Sequence, residues 1–298
     1  MIQSLYLGRV AYEDSLRLQA EIAAWLYEGR VGNVLLLLEH PPVLTLGRNA
    51  DRSNVLASDA LLAARGVTLH EINRGGDVTY HGPGQLVGYP IFDLRSMRNP
   101  SGARMGPVDF VRRMEEALIR VCGTFGLRAG RTPGLTGVWC GCGVDVDCSS
   151  GTPANPDTAC APCPPPAAGA PQRKIAAIGI HVSRGITSHG FAFNVTTDLR
   201  DFSLINPCGI TDKPVTSLER EVLRTAASSA PFPSLEAVAH EAARQFGMVF
   251  AEQVLAVESL EALRRQAANA QIPALDTPLR VPAEVARLHG DPEPPQRA

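Results

Sequence analysis

The sequence predicts an α+β domain, a mixed β-sheet with packed helices. Apolar residues make up 45% and charged residues 19% of the 298-residue chain, a composition that is typical of globular rather than disordered proteins. Several strand patterns follow one another with no helical pattern between them, which favours an α+β sheet domain over a regular βαβ alternation.

Four segments have the spacing or the boundaries of helices. Apolar residues recur every three or four positions over Tyr12 to Tyr27 and Val108 to Phe125, which predicts two amphipathic helices. Two later helices are predicted over Ser234 to Phe246, with Ser234 as the N-cap, and over Glu258 to Ala268. Strand patterns cover Asn33 to Glu39, Val43 to Leu46, Val67 to Ile72, Leu86 to Leu94, Lys174 to Val182 and Ser188 to Val195.

Two proline-rich stretches differ from the rest of the chain. Ser150 to Pro171 contains seven prolines and Asn269 to Ala298 contains six more, so neither is expected to belong to the packed domain. We predict a single catalytic domain over residues 1–268, with a Cys/Pro-rich insertion at 140–172 and a Pro-rich tail at 269–298.

Charge and hydropathy exclude two classes of function. The 28 basic and 30 acidic side chains give a net charge of −2, which is unlike the basic surface of a nucleic-acid-binding domain. The longest apolar run, Val34 to Leu38, is far shorter than the about 20 residues of a membrane span. Seven cysteines without a signal peptide indicate reduced thiols or metal ligands in a cytoplasmic protein.

A glycine-rich segment, RGGDVTYHGPGQLVGYPI from Arg74 to Ile91, is the most unusual stretch. Its glycines permit a close approach of the main chain to a ligand. It is neither a Walker A loop nor a Rossmann fingerprint, because no Gly-Lys-Ser/Thr follows and the glycine spacing differs. The alternative is a hairpin or crossover loop in which His81 is hydrogen-bonded.

A second segment, Lys174 to Val195, reads as two strands joined by a turn at Ser183 to Gly185. The two-residue period places Ala177 and Gly179 on one face of the first strand, and Gly190 and Ala192 on one face of the second. If those faces coincide, they form a shallow apolar trough for a linear ligand; the alternative is a helix packed across them. Lys174 can join this site only through a bulge or at the strand end.

The third segment is a cysteine between proline and glycine, Asn206 to Ile210. Such a turn exposes the sulfur of Cys208, unlike Cys122 on the apolar side of a helix. A lone loop cysteine is often incidental, and a nucleophile needs a cation to lower its pKa. Lys174, His81 and His189 are the candidates for that cation.

Together, these three segments and the stretch EHPPVLTLGR at Glu39 to Arg48 resemble the lipoyl(octanoyl) transferases of lipoate biosynthesis. The resemblance covers nearly all of residues 1–250. It implies an α+β fold similar to the catalytic domain of biotin and lipoate protein ligases.

The resemblance also implies site residues. Cys208 matches the family's acyl-thioester nucleophile, and Lys174 matches the lysine that lowers the cysteine pKa and serves as general acid and base. The acyl-binding positions fall on Arg74, Gly75, Gly76, Asp77, Val78, Thr79, Tyr80, His81, Ala177, Ile178, Gly179, Gly190, Phe191 and Ala192.

The implied reaction moves an octanoyl group from octanoyl-acyl carrier protein to Cys208, and then to the lysine of an apo lipoyl domain. Such domains belong to the 2-oxoacid dehydrogenase complexes and to the glycine cleavage H protein. No cofactor is required, because thioester exchange is nearly isoenergetic and amide formation is downhill. Nucleic acid and membrane are not expected partners.

The cysteine-rich insertion departs from the family pattern, which has only a short hairpin there. A structural zinc, a free flexible loop and a redox or disulfide role all fit this composition. The candidate zinc ligands are Cys140, Cys142, Cys148, Cys160 and Cys163.

Three rival functions remain open from the sequence. An ATP-dependent lipoate or biotin ligase on the same fold would form an acyl adenylate instead of an acyl cysteine. A non-catalytic adaptor would bind acyl carrier protein without turnover. A cysteine hydrolase using Cys208 with His81 or His189 would release free acid rather than amide.

Overall fold

Two β-sheets of unequal size organise the computed structural model, which describes residues 1–99, 102–141, 171–207, 213–224 and 232–270. The strands are β1 Ile2–Arg9, β2 Asn33–Glu39, β3 Val43–Leu46, β4 Thr68–Glu71, β5 Val78–His81, β6 Gln85–Ile91, β7 Ala129–Thr132, β8 Leu135–Cys140, β9 Arg173–Ser183, β10 Ile186–Asn194 and β11 Val254–Ala256. The helices are α1 Tyr12–Tyr27, α2 Asp59–Ala64, α3 Pro107–Thr124, α4 Leu218–Arg224, α5 Leu235–Phe250 and α6 Leu260–Asn269, with 3₁₀ helices at Arg52–Asn54 and Leu199–Leu204.

The large sheet has eight strands in the order β11-β1-β2-β6-β10-β9-β8-β7, and the small sheet has three in the order β4-β3-β5. In the large sheet β1 pairs in parallel with β2 and with β11, whereas the pairs from β2 to β7 are antiparallel. The mixed sheet with packed helices confirms the predicted α+β class.

Both faces of the large sheet are covered by helices. One face packs on α3 and α5, and the other on α1 and α6. The longest apolar run lies in β2 because both faces of this strand are buried. Leu35 and Leu37 belong to the core under α3 and α5, while Leu36 and Leu38 belong to the core under α1 and α6. The small sheet has a third core, which it shares with the 3₁₀ helix Leu199–Leu204.

The predicted elements lie where the sequence placed them, with shifts at their ends. The bounds of α1, β2 and β3 agree with the prediction, and Ser234 caps α5 by accepting a hydrogen bond from the backbone N–H of Ala237 at 3.1 Å. The predicted strand at Leu86 begins at Gln85, and α5 continues to Phe250. The six strand patterns omitted β1, β5, β7, β8 and β11, and the four helix patterns omitted α2 and α4.

The predicted domain limits fall close to the ends of elements. Cys140, the first residue of the predicted insertion, is the buried last residue of β8, and Arg173 begins β9. Helix α6 ends at Asn269, one residue beyond the predicted domain end. Within the five described ranges, no helix is both long and apolar enough to cross a membrane.

Candidate functional site

The hairpin of β9 and β10 forms the floor of the site. The two strands pair residue for residue, so that Ala177 faces Ala192 and Gly179 faces Gly190. The small residues of the two strands therefore lie on the same face of the sheet, which is the condition for the trough. Arg184 and Gly185 make the turn, both with positive φ (51° and 82°), which matches the twist of a two-residue hairpin.

A bulge brings Lys174 to the side of these small residues. Val138 of β8 pairs with Ala176 but the next residue, Trp139, pairs with Lys174, so Ile175 is the extra residue in β9. An unpaired extra residue reverses the face on which the preceding side chain lies. Lys174 is also the second residue of its strand, so both conditions set by the sequence for its joining the site are met.

The surroundings of Lys174 fix its main chain and its side chain. Its backbone N–H donates to the carbonyl of Pro214, and its carbonyl accepts from the N–H of Thr216, each at 2.9 Å. Its Nζ lies 5.1 Å from the ring centroid of Trp139, within the range of a cation–π contact. The chain that follows the Cys208 segment is thus bonded directly to the strand that carries Lys174.

A small open pocket lies against Lys174. The large sheet contributes most of its lining. Thr79 of the small sheet, Phe202 and Pro207 before Cys208, and Val215 after it contribute the rest. Cys208 itself lies outside the described residues. The lining residues are Thr79, Gln85, Lys174, Ile175, Ala176, Ala177, Ala192, Asn194, Phe202, Pro207 and Val215.

A chain of side-chain amides runs beneath the pocket. Gln85 donates through Nε2 to Asn194 Oδ1 at 2.9 Å, and Asn194 donates through Nδ2 to the carbonyl of Thr216 at 2.9 Å. The Nδ1–H of His81 donates to Gln85 Oε1 at 2.8 Å. Because the N–H of Thr216 bonds Lys174, this chain connects His81 to the strand of Lys174. The sequence analysis did not identify Gln85, Asn194 or Thr216.

Some of the predicted acyl-binding side chains point into the pocket, and others point into the core on the opposite face of the sheet. Thr79, Ala177 and Ala192 line the pocket. Ile178 and Phe191 lie on the opposite face, in the core under α3 and α5. Any contact of those two with an acyl chain is therefore through the backbone.

Two further predicted positions, Val78 and Tyr80, lie in the core of the small sheet. Gly76, with φ of 92°, accepts a hydrogen bond from the N–H of Asn49 at 3.4 Å. These positions shape the glycine-rich segment rather than the wall of the pocket.

The glycine-rich segment covers the far end of the trough. The N–H of Gly75 donates to the carbonyl of Ile180 at 2.9 Å, and a Cβ at Gly179 would lie 2.6 Å from the carbonyl oxygen of Gly75. Arg74 is buried and donates to the carbonyl oxygen of Thr45 at 2.7 Å and to its Oγ1 at 2.9 Å. Gly179 must therefore be glycine so that the backbone of Gly75 can cross it.

The two histidine candidates for activating the cysteine are buried and neutral. Burial and, to a smaller extent, the neighbouring His40 together lower the pKa of His81 to about 3. Burial, with the charge of Arg74, lowers the pKa of His189 to about 4, and the ring donates through Nε2 to Asn73 at 2.8 Å. A neutral imidazole does not stabilise a thiolate by charge, so Lys174 is the remaining candidate.

The structural comparisons give the class of fold. A bipartite lipoate protein ligase of Thermoplasma acidophilum is similar, with a TM-score of 0.57, 16% identity and coverage of 90% of this chain and 91% of that one. A lipoate-protein ligase A solved with ATP has a TM-score of 0.56 and 17% identity, over 90% of this chain and 93% of its own. The chain thus has the fold of the lipoate protein ligases.

The sequence comparisons give the family. The model of the lipoyl protein ligase A/B catalytic domain matches residues 11–242. An octanoyltransferase of Acidobacterium capsulatum is 55% identical over 87% of this chain and 94% of the relative. An octanoyltransferase of Koribacter versatilis is 47% identical over 98% of each. The chain belongs to the lipoyl protein ligase A/B catalytic-domain family and, within it, to the octanoyltransferases, which are acyltransferases.

We expect Gly137→Ala to displace the side chain of Lys174 and to slow octanoyl transfer by about a hundredfold. Gly137 has φ of 123°, and a Cβ there would lie 2.5 Å from the carbonyl oxygen of Ala176 and 2.8 Å from Lys174 Cε. The single-turnover rate of octanoyl transfer measures the effect.

The matched control for this substitution is Gly134→Ala. Gly134 also has a positive φ, 77°, but a Cβ there meets no atom within 4 Å. Equal losses of rate in the two variants would show that backbone strain, and not the contact with Lys174, is responsible.

We expect the free energy of unfolding to fall between pH 7 and pH 5. Burial lowers the pKa of His40 and of His189 to about 4, so the unfolded chain binds protons in this range while the folded chain does not. Each of these histidines then costs about 2 kcal/mol of stability by pH 5. Urea unfolding at a series of pH values measures this slope.

Histidine variants show which residues cause this pH dependence of the free energy of unfolding. His40→Gln should reduce it, whereas His240→Gln, at an exposed position of α5, should leave it unchanged. Unfolded carboxyl groups titrate mostly below pH 5, so they contribute little in this window. A stability that is constant from pH 7 to pH 5 would contradict the burial of neutral histidines.

Proposed function

We propose that this octanoyltransferase uses Cys208 as an acyl-carrying nucleophile and Lys174 as its activating base, with octanoyl-acyl carrier protein as the donor. The observation that carries the proposal is the pocket, where Lys174, the small residues Ala177 and Ala192, and Pro207, the residue before Cys208, line one cavity. Among the described residues that line it, Lys174 alone carries a charge.

The first step transfers the acyl group to the enzyme. The thiolate of Cys208 attacks the thioester carbonyl, the new C–S bond forms, and the bond to the carrier's pantetheine sulfur breaks. The departing thiolate takes a proton, which Lys174 supplies. Main-chain N–H groups stabilise the oxyanion of the tetrahedral intermediate.

The second step transfers the acyl group to the acceptor. The ε-amino group of a lipoyl-domain lysine attacks the acyl-Cys208 carbonyl, an amide bond forms and Cys208 leaves as thiolate. Lys174, neutral after the first step, accepts the proton that the amine loses. One thioester is exchanged for another and then for an amide, so neither ATP nor metal enters the balance.

The proposed acceptors are the apo lipoyl domains of the 2-oxoacid dehydrogenase complexes and the glycine cleavage H protein. The family supports lipoyl domains as the acceptor class, since the related Thermoplasma ligase was studied with its E2 lipoyl domain. The ε-amino group of the acceptor must reach the carbonyl carbon of acyl-Cys208, beside Lys174.

We expect intact-protein mass spectrometry to show an octanoyl adduct on Cys208 after incubation with octanoyl-acyl carrier protein in the absence of ATP. Addition of an apo lipoyl domain should remove the adduct and octanoylate the acceptor lysine, because amide formation is downhill from the thioester. Transfer that begins only when ATP is added would establish the adenylate route of a ligase and overturn the proposal.

Variants identify the two residues. Cys208→Ser and Lys174→Ala should each reduce turnover by about a thousandfold or more, with the circular dichroism spectrum retained. Cys122→Ala removes a thiol that is fully buried in the core under α3, so that variant should still form the adduct. An active Cys208→Ser variant would eliminate the covalent mechanism.

Three roles for the cysteine-rich insertion stay proposals: a free flexible loop, a structural zinc site, and a redox or disulfide role. Of the candidate zinc ligands, Cys140 is buried in β8, and Cys142, Cys148, Cys160 and Cys163 lie outside the described residues. Elemental analysis of protein purified without chelator separates these roles, and about one zinc per chain would support the zinc site. A stoichiometry near zero would exclude the zinc site and leave the free loop and the redox role.

A further inference from the structure

Two segments that are far apart in the sequence meet at one side chain, that of Asn54. The first is the glycine-rich segment, which crosses the trough and contains Asp77. The second is Leu204 to Asn206, which leads directly into Cys208. Asn54 is the last residue of the 3₁₀ helix Arg52–Asn54 and is half-buried between them.

Asn54 contacts the glycine-rich segment through its amide nitrogen. Its Nδ2 donates to Asp77 Oδ2 at 2.6 Å, while Asp77 Oδ1 accepts from the N–H of Asp51 at 3.1 Å. The carbonyl of Asp77 in turn accepts from the N–H of Gly47 at 3.1 Å. Both carboxylate oxygens of Asp77 are thus committed to the chain around Asn54.

Asn54 contacts the segment before Cys208 through its oxygens. Its carbonyl accepts from the N–H of Asn206 at 2.7 Å, and its Oδ1 accepts from Nδ2 of Asn206 at 3.3 Å. Val55 and Ile205 form an antiparallel bridge, and the N–H of Leu56 donates to the carbonyl of Leu204 at 2.9 Å. Hydrogen bonds from the chain around Asn54 therefore fix the segment from Leu204 to Asn206.

An independent contact fixes the start of the same segment. The hydroxyl of Tyr80, in β5 of the small sheet, donates to Asp201 Oδ2 at 2.7 Å within the 3₁₀ helix Leu199–Leu204. The hydroxyl of Tyr80 thus holds this segment at residue 201, and Asn54, which is itself bonded to Asp77, holds it at residue 206. Cys208 follows Asn206 by two residues in the sequence.

We propose that Asn54 is a positioning residue that couples the acyl-binding glycine-rich segment to the segment carrying the Cys208 nucleophile. This inference rests on the proposed function of Cys208. The hydrogen-bond partners explain why position 54 has an asparagine. The carboxylate of Asp77 requires a donor from this side chain, and the amide nitrogen of Asn206 requires an acceptor from it. An amide presents both, whereas aspartate at position 54 would set two carboxylates against each other.

The test compares a single variant, Asn54→Asp, with a double variant in which the side chains of residues 54 and 77 are exchanged. Asn54→Asp removes the donor and opposes Asp77, and we expect the single-turnover rate of octanoyl-Cys208 formation to fall by about ten- to a hundredfold. In the double variant N54D/D77N the amide of residue 77 donates to the carboxylate of residue 54, and Asp51 keeps its acceptor. The rate should return to within about threefold of wild type.

A second readout separates positioning from stability. The rate of iodoacetamide alkylation of Cys208, located by peptide mass spectrometry and followed against pH, should change in Asn54→Asp and recover in the double variant. Asn33→Ala is the matched control, because Asn33 accepts from the N–H of Asp93 at 2.8 Å on β2, three strands from β9. It should lower the melting temperature without altering alkylation.

Two results would overturn the inference. One is a wild-type rate of octanoyl-Cys208 formation and of alkylation in Asn54→Asp. The other is a loss in Asn54→Asp that the double variant does not restore. If wild-type enzyme itself forms no adduct on Cys208, the proposed function fails, and the alkylation rates still decide whether Asn54 holds this segment.

Discussion

The bulge at Ile175 is the constraint on which the rest of the site depends. Without it, Lys174 would share a face with Ala176 and Ile178, which pack into the core under α3 and α5. An ammonium group in that core would have to be paired or neutralised. One extra residue in β9 instead directs the lysine into the pocket, and Gly137 leaves the space that its alkyl chain occupies. The same local irregularity thus avoids a buried charge and supplies the site with its cation.

Lys174 is the one charged side chain among the described residues that line the pocket, and the charge next to it in the sequence is neutralised. Arg173, the residue before Lys174, is bound by both oxygens of Glu221 at 2.7 and 2.9 Å. Burial alone would raise the pKa of Glu221, but the hydrogen bonds from Arg173 and Thr216 hold it below its ordinary value. Glu221 therefore remains an anion that neutralises Arg173. With the neighbouring histidines neutral, Lys174 is the group to which we assign the proposed stabilisation of a Cys208 thiolate.

The sequence predicted the helices and strands that have a regular apolar period. It did not predict contacts between residues that are far apart in the chain. The spacing of Leu18, Ile22 and Trp25 predicted α1. The two-residue period placed the small residues on one face of each strand of the hairpin, but only the register of the hairpin shows that the two faces coincide. The edge strand β11 has only three residues and therefore no readable period. Gln85 and Asn194 are 109 positions apart, so no spacing rule relates them. Position 54 has an ordinary loop asparagine, whose role appears only once Asp77 and Asn206 lie beside it.

The fold alone does not decide the reaction, because lipoate protein ligases share it at 16–17% identity. In the proposed acyl transfer the two sheets have different roles. The large sheet supplies an apolar floor kept low by Ala177 and Ala192, and full burial of the seven carbons beyond an octanoyl carbonyl would be worth about 6 kcal/mol. The small sheet supplies the covering glycine-rich segment and the anchors of the chain that leads to Cys208. In the proposed reaction the large sheet binds the acyl chain, and contacts with the small sheet hold the segment that leads to Cys208.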